Sequence, residues 1–162
     1  MKEVCLSLNY YGVKKIVIVN GHGGNRCALL EMARELREEG IFVSVFQWWE
    51  AAGKLLPGSF EPEEEGHAAA EETSVNLALH PQIVSMNRAV DEEPRKHVAE
   101  AKGISLPLVT VDETSSGVFG KSTIASAEKG KMVLETVVGE LVKHVNMLKK
   151  AKIEDLTQKP KV

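Results

Sequence analysis

The chain has 162 residues, 43% hydrophobic and 27% charged, an ordinary globular balance that allows one core-containing domain. A formal charge of −3 offers no basic footprint for a phosphate backbone, so a small molecule rather than nucleic acid is the expected partner. Cys5 and Cys27 make neither a disulfide framework nor a CxxC site, and the start MKEVCLSLNYYG has no signal-peptide pattern, so a cytoplasmic protein without membrane contact is expected.

Residues 13–19, VKKIVIV, are a β-branched run ending at Asn20-Gly21, and predict a buried strand that delivers its carboxyl end to a glycine-rich loop, GHGGN. From Arg26 to Glu39 the residues Ala28, Leu29, Met32, Ala33 and Leu36 recur at helical spacing, with Asn25 available as N-cap and Gly40 as the stop. Ile41 to Phe46 is again β-branched and aromatic. Strand, glycine loop, helix, strand is the order of a βαβ unit with parallel pairing, and hence of an α/β layered fold.

Residues 51–66, AAGKLLPGSFEPEEEG, predict an exposed connection in which Glu63, Glu64 and Glu65 are solvated. Trp48 and Trp49 fit core or interface positions. Glu71 to His80 predicts a helix with Val75, Ala78 and Leu79 on one side, stopped by Pro81, which leaves His67 at or just before its N-terminus. Leu106 to Val111 predicts a strand, and Thr114 to Gly117 and Gly120 predict loops. The last long helix is predicted from Ile124 to Lys149, its buried stripe formed by Ile124, Ala127, Leu134, Val137, Val138, Leu141, Val142, Val145 and Leu148. No repeat or second-domain signal appears, so 1–150 is expected to be one domain and 151–162 a charged, frayed tail.

His22, between glycines at a predicted strand end, lies where open α/β sheets gather ligands, and imidazole is a common ligand for zinc-like ions. His22 is therefore a candidate metal ligand. Two plainer alternatives stand beside it. One is a tight turn that needs glycine for φ > 0 and carries histidine incidentally. The other is an anion cradle, although GHGGNR lacks the third glycine of a dinucleotide fingerprint and the Gly-Lys-Ser/Thr of a P-loop. In His67-Ala68-Ala69-Ala70-Glu71-Glu72-Thr73-Ser74 the alanines leave room around an imidazole and two carboxylates, which suits a metal ligand beside a proton-transferring base. On spacing alone the stronger explanation is that Glu71 and Glu72 complement the helix dipole. His80, His97 and His144 have no clustered partners and fit surface or helix-end positions.

Val19-Asn20-Gly21-His22-Gly23-Gly24-Asn25, then His67-Ala68-Ala69 with Glu72-Thr73-Ser74, then Gly117-Val118-Phe119-Gly120 with Thr123 and Ala127-Glu128-Lys129-Gly130, resemble the creatininase (creatinine amidohydrolase) family in order and spacing. The resemblance implies a three-layer α/β/α sandwich that hydrolyses a non-peptide or unusual amide C–N bond in a small molecule. It also implies a centre of two divalent ions, zinc, manganese or iron, usually within a homohexamer. By motif position His22 and Glu72 look like metal ligands, His67 like the proton-transferring histidine, and Gly23, Gly24 and Asn25 like substrate-binding loop residues. The family's Glu-x-His-Gly segment and following aspartate, which supply three more ligands, have no counterpart here, so the N-terminal part of the fold is expected to be missing. A longer natural polypeptide, a second chain, or a non-catalytic fragment or assembly subunit would each account for that. Creatininases proper carry tyrosine and glutamate where this chain has Gly23 and Gly24, which argues against creatinine and resembles the branch of formamide deformylases and of a peptidase of redox-cofactor maturation.

Overall fold

In the computed structural model, which describes residues 1–157, the β-branched run after Val13 forms β1 (Lys15–Asn20), following a short helix α1 (Lys2–Tyr10). Helix α2 (Arg26–Glu38) follows the glycine loop and returns the chain to β2 (Phe42–Gln47) through Gly40, whose φ of +75° only glycine adopts freely. β1 and β2 pair in parallel, from Lys15 opposite Phe42 to Asn20 opposite Gln47, so the βαβ expectation holds and both carboxyl ends finish side by side. Ile16 and Val43 on the sheet, Met32 and Leu36 on α2, Ile41 and Cys5 on α1 form one apolar cluster. β1 is buried on one face only, with Val19 largely exposed, where the run of valine and isoleucine predicted a strand covered throughout.

The chain divides into two compact units, Met1–Ala52 with the chain from Val137 onward, and Gly53–Thr136. In the first, Lys15 Nζ donates to Leu148 O (2.6 Å) and Ala151 O (3.0 Å), and Arg37 Nη1 to Leu156 O (2.5 Å). These contacts hold the end of α6 (Ala127–Lys150) and the short α7 (Ile153–Leu156), so the chain to Thr157 is docked rather than frayed; residues 158–162 of the predicted tail lie outside the described residues. His144 also gains a partner that spacing did not suggest, Ser44 Oγ on β2, 2.9 Å from its Nε2.

Residues 51–55, predicted as the start of the exposed connection, instead complete a helix, α3 (Trp48–Leu55). In the second unit Glu64 is 6% exposed and ion-paired with Lys129, which also lies over the Phe60 ring, so the middle of the acidic run is a buried brace and not solvated. Helix α4 (Ala70–Leu79) ends before Pro81 as predicted, yet it buries Glu71 and Ser74 and exposes Leu79. A methyl group built at Gly130 would come within 1.9 Å of Ser74 O, and Ser126 N–H donates to Ser74 Oγ at 3.0 Å. The backbones of α4 and the start of α6 therefore touch, and only small residues fit between them.

Leu106 to Val109 is irregular and runs into α5 (Thr110–Glu113), not a strand. Pro107 has no N–H to give a ladder, and Val109 and Val111 are exposed. A two-residue ribbon, β3 (Asp91–Glu92) against β4 (Gly120–Lys121), completes the unit. The buried line of α6 runs through Gly130, Val133, Val137 and Leu148, while Val138 and Val142 are 51% and 52% exposed. Nine stripe residues claimed a wider arc than one helix face can bury, and Ile124 lies before the helix altogether.

Candidate active site

Asn20 ends β1 in a fully buried position and acts as the hinge of the glycine loop. Its Nδ2 donates to His22 O (2.8 Å), and its Oδ1 accepts from His22 N–H and from Asn25 Nδ2, both at 3.3 Å. Asn25 stands at the N-cap of α2 but spends its side chain on Asn20 instead of capping. His22 itself is extended and begins a 3-10 turn over Gly23–Asn25, with Gly24 N–H donating to its Nδ1 at 3.2 Å. In that bond Nδ1 is the accepting nitrogen of the ring. None of Gly21, Gly23 and Gly24 has positive φ, so the tight-turn explanation of these glycines does not hold. At Gly24 the need is for space, since a Cβ there would sit 3.0 Å from Nδ1. The N–H groups of Gly24, Asn25 and Arg26 are bonded to His22 Nδ1, His22 O and Gly23 O, which takes up three of the donors a phosphate cradle would use.

The second unit builds the other cluster. His67 O accepts from Phe119 N–H (2.8 Å), and the two rings meet edge to face with centroids 5.8 Å apart. The approach is close because residue 66 is glycine: a Cβ there would fall 2.2 Å from Phe119 O. Gly120 (φ +102°) permits the matching contact with Glu63 O, so the block Gly117 to Gly120 is the backing of the His67 loop. Ala68 has φ +53°, the non-glycine residue at positive φ among the described residues, a conformation that costs about 1–2 kcal/mol for an L side chain. Glu72 Oε2 accepts its N–H (2.7 Å) and Thr73 Oγ1 donates to its carbonyl (3.1 Å). Glu72 thus closes the helix N-terminus much as a capping-box acid does. Its neighbour Glu71, 7% exposed, has its carboxyl pushed up to about 7 by burial, reinforced by the charges of Glu65 and Glu72. A carboxyl poised there exchanges protons near neutrality.

His22, Gly23, Gly24 and Asn25 therefore lie together in one unit, and His67 and Glu72 lie in the other, where Glu72 accepts from the N–H of Ala68, the residue after His67. Motif spacing left open which of the two glutamates mattered, and it did not single out Asn20 or Phe119; a buried asparagine ending a β-branched run was the available signal. Among the described residues no three histidine, cysteine, aspartate or glutamate side chains are gathered as one metal ion requires, so the donors at hand fall short of the three or four that hold zinc-like ions firmly. Among the same residues no helix is long and apolar enough to cross a membrane.

Comparison with known proteins supplies the context. The Creatininase family model, described as creatinine amidohydrolase, matches residues 1–145. The creatinine amidohydrolase of Pseudomonas putida is 28% identical over 85% of this chain and 57% of its own length. The 3-dehydro-scyllo-inosose hydrolase of Thermotoga maritima is 29% identical over 93% of this chain and 58% of its own. A crystal structure of creatinine amidohydrolase superposes with a TM-score of 0.72 at 27% identity, covering 93% of this chain and 62% of that one. Solved forms of creatininase at similar likeness include one described as Zn-Zn type and one as the Mn form. The chain thus has a creatininase-like α/β fold and spans about three-fifths of the length of the relatives it matches.

Proposed function

This chain belongs to the creatinine amidohydrolase family, and on that premise we propose that it takes part in metal-dependent hydrolysis of an amide C–N bond in a small molecule. The observation that carries this is the second cluster: Phe119, Glu72 and Thr73 converge on the backbone of two residues, His67 and Ala68, and hold an imidazole at a strained, stiffened loop. A loop held this tightly is a means of placing one side chain accurately. His67 passes a proton to the departing nitrogen, while Gly23, Gly24 and Asn25 border the substrate.

His22 and Glu72 are the ligands this chain contributes to a centre of two divalent ions, zinc, manganese or iron. Among the described residues the gathered donors fall short of a full set, so these two would hold an ion only together with further ligands. Two free cysteines suit a reducing cytoplasm, and assembly as a homo-oligomer, a hexamer by family resemblance, belongs to the same proposal. Creatinine is not the substrate we favour, since Gly23 and Gly24 stand where creatininases proper have tyrosine and glutamate. The alternative of a phosphate-binding loop is disfavoured by the three backbone N–H groups already bonded within it.

The test is metal content per chain at native oligomeric mass, together with hydrolysis of a panel of cyclic amides and formamides. Two divalent ions per chain and activity abolished by both His22→Ala and His67→Ala are expected. Full activity in both variants would sink the assignment.

A further inference from the structure

Gln47 ends β2 directly opposite Asn20, in register, and the two amides meet: Asn20 Nδ2 donates to Gln47 Oε1 at 2.7 Å. The orientation is fixed by the neighbours, because Asn20 Oδ1 already accepts from His22 and Asn25, which turns its Nδ2 toward Gln47 and requires Gln47 to present oxygen. The other end of the Gln47 amide is the anomaly. Gln47 is 9% exposed, and its Nε2 is fully buried with no hydrogen-bond partner. A buried donor left unpaired is destabilising, and an aliphatic residue at a buried strand end would avoid it, so such a group calls for an explanation.

The next residues act on the same loop. Trp49 Cζ2 lies against Gly23, where a built Cβ would be 3.9 Å away, and Glu50 pairs with Arg26 at the first residue of α2 (3.0 Å). Gln47, Trp49 and Glu50 therefore touch the start, the middle and the end of the loop that carries His22. We propose that Gln47 is a positioning residue for His22: its side-chain oxygen fixes the Asn20 amide, and Asn20 in turn fixes the backbone of His22 and the side chain of Asn25. Its bearing on catalysis rests on the hydrolase assignment above; the positioning itself does not.

The test uses the full chain with Gln47→Met, which keeps the volume and removes the oxygen, and Gln47→Glu, which retains an acceptor oxygen. In Gln47→Met the unpaired N–H moves from residue 47 to Asn20, so the thermal midpoint should stay within about 2 °C while the loop loses its anchor. Peptide-level hydrogen–deuterium exchange over residues 20–25 should quicken about tenfold, with α2 unchanged, and Gln47→Glu should restore slow exchange. Unchanged loop exchange in Gln47→Met would overturn the proposal. So would equal acceleration across β1 and α2 with a fall in midpoint in both variants, which is what a merely structural residue gives. Faster loop exchange in a protein whose wild type hydrolyses no amide would leave the positioning intact and remove the hydrolase assignment instead.

Discussion

At the scale of single residues the glycine loop is decided by one hydrogen atom. Gly24 lies so near the His22 ring that a methyl group would stand 3.0 Å from Nδ1 and 3.1 Å from Cε1. The ring, or the turn beneath it, would have to give way by a few tenths of an ångström. Because the loop is exposed and its glycines keep ordinary φ, Gly24→Ala should leave the thermal midpoint nearly unchanged while displacing the imidazole. Misplacing a catalytic group by a fraction of an ångström to one ångström costs roughly 10- to 100-fold in rate, so kcat/KM on whichever amide is found should fall by about that factor. Gly21→Ala, with nothing within 4 Å of its Cβ, is the internal control and should be close to neutral for the ring. Equal effects of the two substitutions would show that the contact with Nδ1 is immaterial. His22 stood out as a candidate in the sequence through its place among glycines at a strand end, and Glu72 through the family resemblance. Asn20, Gln47 and Ala68 did not, since hydrogen-bond direction and backbone φ leave no periodic trace.

Helices make their own demands, and α6 shows two opposite ones. Gly130 sits where the helix backbone meets α4, its Cβ position only 1.9 Å from Ser74 O and 3.0 Å from Ala78 Cβ. Gly139, nine residues on, has open space around it. Gly130→Ala must separate the two helices and should destabilise by about 1–3 kcal/mol, as overpacking does. Gly139→Ala should stabilise by about 0.5–1 kcal/mol, the helix-propensity difference between the two residues. Urea denaturation of the two variants should move the midpoint in opposite directions, and a shared direction would mean that the close approach at Gly130 is relaxed in solution. The length of α6 and the βαβ pair were readable from spacing, because burial there follows periods of 3.6 and 2. The face of α6 was misread: Val138 and Val142 are as apolar as Val137, and nothing in their identity says that Gly130 and Val133 set the buried line. The strand predicted at 106–111 failed for the reason that strands need partners, which a β-branched run by itself does not provide.

At the largest scale, within the unit Gly53–Thr136 the later motif blocks are braced against their neighbours: Gly120 against Glu63, Phe119 against His67, Ser74 against Gly130 and Ser126. A further brace, absent from those blocks, sets how the chain responds to acid. Glu92 on β3 accepts hydrogen bonds from the hydroxyl and N–H of both Ser115 and Ser116. Led by the Ser116 hydroxyl and followed by the two N–H groups, these donors hold its carboxyl down at about 2, against an ordinary value of 4.5. A carboxyl whose folded value lies below its unfolded one stabilises the fold fully above pH 4.5, and that contribution fades as pH falls toward 2. Glu92→Gln removes the charge and turns an amide N–H₂ toward donors, so its urea midpoint should lie below that of the wild type at pH 7. Between pH 4.5 and 2 the two curves should converge, because the wild type loses by protonation what the variant never had. Since Glu92 is only half-buried, added salt should shrink the gap at pH 7 as well. A gap that stayed constant from pH 7 down to 2.5 would mean that the carboxylate is not held by Ser115 and Ser116 in solution, and that the ribbon of β3 and β4 is secured by its backbone pairing and the hydrogen bonds of Asp91 with Ser122 and Thr123.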